Sequence, residues 1–160
     1  MIVVSDSSPL IALLSADRID LLERLFGTAL IPPAVRDEVF GSSSGITDSM
    51  PNFIHVESLP IETATRFLRM SLHQGESEAI VLALDKGIDK IILDDKQARE
   101  TADRLGLSVI GTFGVLMLAK EKGHLDAVRP IMLQIMERIN FRIAPNVLNR
   151  ALTHMNELPV

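Results

Sequence analysis

Cysteine is absent from the 160-residue sequence, and so are tryptophan and tyrosine. Without thiols there is neither a disulfide framework nor a thiolate metal site, and a reducing compartment is compatible with the chain. With six Phe that read as core residues, the aromatic platforms that usually read unpaired bases are not evident. No apolar run approaches the ~20 residues of a membrane span. Ile2 to Val4 is too short for the roughly 7 to 15 apolar residues of a signal-peptide core. A cytoplasmic protein is the expectation. A basic excess is missing as well: 16 Lys and Arg stand against 21 Asp and Glu, a formal net charge of −5 and the wrong sign for gripping nucleic acid with a whole basic face. A polyanionic substrate must therefore be held locally.

An apolar fraction of 47% in 160 residues describes one domain with a core of its own. Runs rich in Ile, Val and Leu (IVVS, TALI, FIHVESL, KIILD, LSVIG) alternate with helical patterns, which predicts an α/β fold with a parallel sheet and crossover helices. Asp17 is expected to cap DRIDLLERLF, closed by Gly27, and Pro32 and Pro33 to start AVRDEVF, closed by Gly41. GSSSGITDSMPN has the turn chemistry of a surface loop. IETATRFLRMSL, GESEAIVLALDKG, KQARETADRLG and FGVLMLAKEKG read as helices. Residues 126–160 are expected to form a C-terminal helical extension, two helices around the extended piece FRIAP, packed on the domain or on a partner.

The acids are distributed unusually, near strand ends or early in helices. Asp6 follows IVVS directly, and the carboxyl end of a strand is where open α/β sheets place their chemistry. Glu38 lies three residues after Val35 and is expected to face inward with it. In GESEAIVLALDKG, Glu76 is in register with Ile80 and Ala83 on the apolar side, while Glu78 falls nearer the polar side. KIILDD ends in Asp94 and Asp95, of which alternation turns one toward the crevice without saying which. Like charges gathered in a crevice need protons or a cation to neutralise them, and a ligand set of oxygens without His or Cys suits Mg²⁺ or Mn²⁺ rather than zinc. The plainer alternative is a chance gathering of surface acids, with Glu76 serving only the helix dipole. The four histidines have no zinc spacing, no phosphate loop or GxGxxG occurs, and no GxSxG elbow accompanies the serines. Those serines more simply hold Asp6, with Ser8 the best placed to touch a metal's water.

Five segments in order, VVSDSSPLIALL, IPPAVRDEVF, GESEAIVLALDKG, IILDDKQARETADRLGL and GTFGVLMLAKEKG, resemble the PIN domain, in particular its VapC-like branch with GExEA and LDDxxAR motifs. The resemblance runs from Ile2 to about Ala151. It implies a three-layer α/β/α fold with a central parallel sheet of four to five strands. The activity implied is that of a metal-dependent ribonuclease, in many members the toxin of a toxin and antitoxin pair. Carried over, Asp6 matches the first acid, Glu38 the second, Glu76 or Glu78 the third, and Asp95 or Asp94 the fourth.

That resemblance implies one or two Mg²⁺ or Mn²⁺ ions; Lys96 and Arg99, the latter one helical turn beyond Asp95, are candidate phosphate contacts by position, as are Arg66 or Arg69 if their helix borders the cleft. Single-stranded or looped RNA is a better expected substrate than duplex, and an antitoxin protein and a homodimer are the expected partners. Two rivals stand beside it. One is an inactive binding module acting through partners along the Met-rich helices. The other is phosphotransfer at a strand-end aspartate, although the order of the acids opposes it.

Overall fold

The computed structural model describes residues 1–42, 49–59 and 62–160. At its centre is a five-stranded sheet of β1 (Ile2–Ser5), β2 (Thr28–Ile31), β3 (Ile54–Val56), β4 (Lys90–Ile92) and β5 (Ser108–Ile110). The spatial order is β3-β2-β1-β4-β5, and every pairing is parallel. The predicted α/β class and strand set hold; β3, β4 and β5 are shorter than the apolar runs that announced them.

Both faces of the sheet are covered, as parallel strands require, and the period of two along each strand divides the core. Val3, Ala29, Ile31 and Ile92 belong to one buried cluster, and Val4, Ile91 and Leu93 to the other. The first cluster is filled by α1 (Ser7–Ser15), α2 (Asp20–Phe26), α3 (Pro33–Phe40), α7 (Thr112–Glu121), α8 (Arg129–Arg138) and α9 (Pro145–His154). The second is filled by α4 (Glu62–Leu68), α5 (Gln74–Asp85) and α6 (Lys96–Arg104). Leu10, Leu13, Ile80, Leu82 and Ile91 are fully buried, each worth roughly 1.5–3 kcal/mol of transfer free energy. From α9, Leu148 and Leu152 join the first cluster, so the C-terminal helices lie on the same core as β1.

Asp17 does not cap α2. It takes a left-handed φ of 54°, and the amides of Asp17 and Arg18 donate to the carbonyls of Leu14 and Leu13, closing α1 in a Schellman turn. Aspartate tolerates that conformation better than most residues, so it ends one helix instead of starting the next, and α2 begins after Ile19. Pro32 and Gly41 bracket α3 as expected. Of the predicted loop GSSSGITDSMPN, residues 43–48 lie outside the described residues.

The chain runs from β1 outward to β2 and β3, then crosses to β4 on the other side of β1. This places the topological switch point, the usual ligand crevice of an open parallel sheet, at the carboxyl ends of β1 and β4. In their register Val4 faces Ile91 and Ser5 faces Ile92, and the Asp6 amide still donates to the Ile92 carbonyl at 3.1 Å. Asp6 thus comes alongside Leu93, with Asp94 and Asp95 next. Helices that run back along parallel strands begin at this same edge, so α1, α3, α5, α6 and α7 turn their amide ends toward it.

Candidate active site

Asp6 is the deepest of the acids. It stands in extended conformation just before α1 and is only 4% exposed. Burial pushes its pKa up from the ordinary aspartate range to about 7. The amides of Ser7 and Ser8 oppose the shift, and the carboxylates of Glu76 and Glu38 add to it. Neither amide makes a well-aligned capping bond to its side chain. At neutral pH Asp6 is therefore poised between its two protonation states, and a nearby positive charge would decide which prevails.

Glu76 approaches from the first turn of α5. Its Oε2 accepts the His73 amide at 3.0 Å, forming half of a capping box that fixes the helix start. It is 7% exposed, and burial raises its pKa; the His73 amide works against the rise, while Asp95 and Glu38 contribute to it. Gly75 allows the close approach of α5: a Cβ there would lie 3.1 Å from Asp6 Oδ1 and 3.4 Å from Ser7 Oγ and Val35 Cγ2. Any larger residue would press directly on the buried acid.

Glu38 corrects an expectation. It shares the flank of Val35 but is exposed and not buried inward, because helical phase sets direction and not depth. Its carboxylate reaches the site through Ser7, whose hydroxyl donates to Oε2 at 2.6 Å. Asp95 caps α6, accepting the Ala98 amide at 2.9 Å, and remains exposed while acting electrostatically on Glu76. Asp6, Glu38, Glu76 and Asp95 thus form one interacting acidic group, although they come from four separate segments.

The remaining candidates fall elsewhere or play other parts. Both oxygens of Asp94 are engaged by Thr112: Oδ1 accepts its amide at 2.8 Å and Oδ2 its hydroxyl at 2.6 Å. Burial raises the pKa of Asp94, opposed by those two bonds and by the Arg99 charge. Glu78 turns away from Asp6; it accepts the Ala34 amide at 3.1 Å, capping α3, and the Gln74 side chain at 2.8 Å. The Lys96 side chain is 91% exposed and reaches toward Glu100 on its own helix at 3.9 Å, outside the cleft. Arg66 and Arg69 are exposed and outside it too. Ser8 and Arg99 line it.

The cleft itself is about 730 Å³ in volume and runs from Ser8, His73, Glu76, Asp94 and Asp95 across β5 and α7 to the stretch 140–143. A shallower hollow of about 380 Å³ beside it holds Glu38, Asp37 and Gly75, with His73 shared between the two. Three participants escaped sequence reasoning. His73 carries no zinc spacing, and its signal is instead H-x-x-E before an apolar run, the pattern of a capping box. Thr112, 18 positions from Asp94, and Arg142 in the extended C-terminal piece carry no local signal at all.

As they stand, no three His, Asp or Glu among the described residues are grouped to ligate one ion. Three of the four acids rest instead on a local donor: Glu38 on Ser7, Glu76 on His73, Asp95 on Ala98. The donor set still fits a hard divalent cation. It offers only oxygen, it concentrates negative charge, and burial, with Glu76 and Glu38 nearby, raises the pKa of its most buried member to about 7.

No curated protein and no solved structure matches the chain significantly. A family model described as PIN domain matches residues 2–157. PIN domains are generally nucleases that bind nucleic acid and use divalent metals. The five-stranded parallel sheet and the acids at its switch point agree with that match along almost the whole length, and the chain belongs to the PIN-domain family.

Proposed function

We propose that the chain is a Mg²⁺- or Mn²⁺-dependent endoribonuclease of the VapC-like kind, with Asp6, Glu38, Glu76 and Asp95 holding the ion. The observation that carries this reading is Asp6, a carboxylate 4% exposed, surrounded by further acids and raised to about 7. Such an arrangement costs stability in a metal-free protein and is characteristic of functional sites. A bound divalent ion supplies Lewis acidity, lowering a water's pKa toward neutrality and offsetting the charge that builds on the scissile phosphate.

The chain's own residues supply position. Ser7 and His73 orient Glu38 and Glu76, and Gly75 keeps α5 against β1. Asp94 fixes the start of α7 through Thr112, and Arg99, whose charge acts on Asp94, lines the cleft, where its guanidinium would meet phosphate. In the reaction a water oxygen adds to phosphorus, the ester P–O bond breaks, and the departing oxygen takes up a proton. Glu78 and Lys96 support α3 and α6 and take no direct part. We further propose RNA as substrate, unpaired or looped, in a cytoplasmic homodimer whose activity an antitoxin restrains.

A second reading, a PIN fold acting as a binding module without hydrolysis, is favoured by one observation: among the described residues the acids are not grouped around one point, and Glu38, Glu76 and Asp95 are each bonded to a local donor. Incubating a labelled single-stranded RNA with purified protein separates the two. The nuclease reading expects cleavage with Mg²⁺ or Mn²⁺, none with EDTA, and none from folded Asp6→Asn. Equal cleavage by wild type and variant, or none by either, rejects it.

A further inference from the structure

Beyond the acids, the cleft changes character. Its far wall is apolar, built from Ile110, Phe113, Met117, Phe141, Ile143 and Val147. Phe113 and Phe141 pack one side on the first core cluster and are only partly buried, so part of each ring is open to the cleft. A second groove of about 590 Å³ lies between α7 and α9 and shares Met117 and Val147 with the cleft. The two hollows adjoin at those side chains, Val147 being 51% exposed, and together make a trough whose far end is lined by Arg150 and His154.

Its cations are placed to match. Arg142 lines the cleft and Arg150 the groove, both exposed, and neither makes a hydrogen bond or ion pair among the described residues. In a chain of net charge −5, unpaired guanidiniums beside an apolar floor are a local reversal of the overall field. That combination complements an unpaired strand, whose phosphates seek guanidinium while its bases seek an aromatic or apolar face. A duplex hides its bases in its own stack and gains nothing from such a floor.

We propose that this trough is the track of an unpaired nucleic-acid strand, with one base against Phe113 and Phe141 beside the acids and the flanking phosphates on Arg142 and Arg150. The proposal rests on the nuclease reading for its substrate class but commits to residues outside the acidic group, and its test does not need cleavage. Fluorescence anisotropy of a labelled ten-nucleotide RNA, in Ca²⁺ and again in EDTA, measures binding to the full chain. We expect tighter binding of the single strand than of a hairpin of equal length. Arg142→Ala with Arg150→Ala should weaken it about tenfold and flatten the log–log salt slope by about 1.4, from ~0.7 per phosphate contact. Phe141→Leu, which keeps the apolar packing, should weaken it about fivefold through lost stacking.

Unchanged affinity and slope in the double variant, equal binding of the hairpin, or no binding by wild type overturns the proposal. So does the outcome in which Val147→Asp converts a dimer to a monomer in sedimentation while RNA affinity stays the same, since the trough is then a self-association face. Absence of hydrolysis alongside intact, Arg-dependent strand binding would reject the nuclease reading and leave the track standing.

Discussion

Glu157 and Asp6 are both carboxylates taken out of water, at opposite ends of the chain, and their surroundings differ in kind. The Glu157 side chain is 8% exposed and meets donors on every side: Lys120 Nζ at 2.7 Å and the amides of Val128 and Arg129 at 2.8 and 2.7 Å. Burial alone would raise its pKa, but those bonds and the Lys120 charge outweigh it and hold the group below the usual glutamate range. The result is a tie joining α7, the start of α8 and the tail after α9. Asp6 is as deeply placed but faces Glu76 and Glu38, and nothing cationic counters its burial. The chain can therefore neutralise a buried acid where it serves structure, and leaves one uncompensated at the switch point of its sheet. That contrast is the ground for proposing the acidic edge as the working part of the molecule.

The largest effect that would sharpen the comparison is catalytic. Asp6→Asn should reduce metal-dependent cleavage at least ~10³-fold, the equivalent of about 4 kcal/mol of transition-state stabilisation, read from initial rates on labelled RNA. Glu157→Gln should do the reverse: it should destabilise the fold by about 2–4 kcal/mol in urea titration, since it strands Lys120, while the rate per folded molecule stays the same.

Next comes pH. Asp6 has a folded pKa above its unfolded value, so the metal-free native state binds the extra proton and stability falls as pH rises from about 4 through about 7. Glu157 has a folded pKa below its unfolded value, so its contribution is complete above the ordinary glutamate range and is lost as pH falls. Chemical denaturation in EDTA should show a loss on the order of 2 kcal/mol between pH 5 and 8 in wild type. Asp6→Asn should show a smaller loss, the remainder coming from Glu76 and Asp94, whose pKa values are also raised, and be the more stable protein above neutrality. A wild-type curve flat across that window would break the comparison.

The smallest effect separates two neighbours on one helix. Glu78→Gln should cost α3 its cap, ~1 kcal/mol or less, and leave Mn²⁺ affinity alone. Glu76→Gln should weaken Mn²⁺ binding about tenfold in calorimetric titration. Equal effects on affinity would contradict the division of roles between them.

Much of the architecture is legible in the sequence because local signals and the global fold agree. Strands rich in β-branched residues, Pro32 before α3 and Gly106 after α6 each mark an element that forms where they stand. Asp17 misled because the same residue type starts helices and ends them in a left-handed turn, and only the carbonyls of Leu13 and Leu14 decide which. At the site, helical phase correctly turned Glu76 toward the core and Glu78 away from it. It failed for Glu38, which is exposed, because phase gives a direction around the helix and not a depth. Alternation could not choose between Asp94 and Asp95: both line the cleft, and what sets them apart is Thr112, which bonds Asp94 and is distant in sequence but brought near by the pairing of β4 with β5. The apolar trough was invisible for the same reason: Phe113, Phe141 and Val147 each look like core residues until three segments meet.

Whether the acids at the switch point gather a divalent ion is tested most directly by anomalous diffraction from crystals soaked in Mn²⁺. The account predicts a peak bounded by Asp6, Glu38, Glu76 and Asp95 that disappears in Asp6→Asn. No peak at that edge, or one that survives the substitution unchanged, would contradict it.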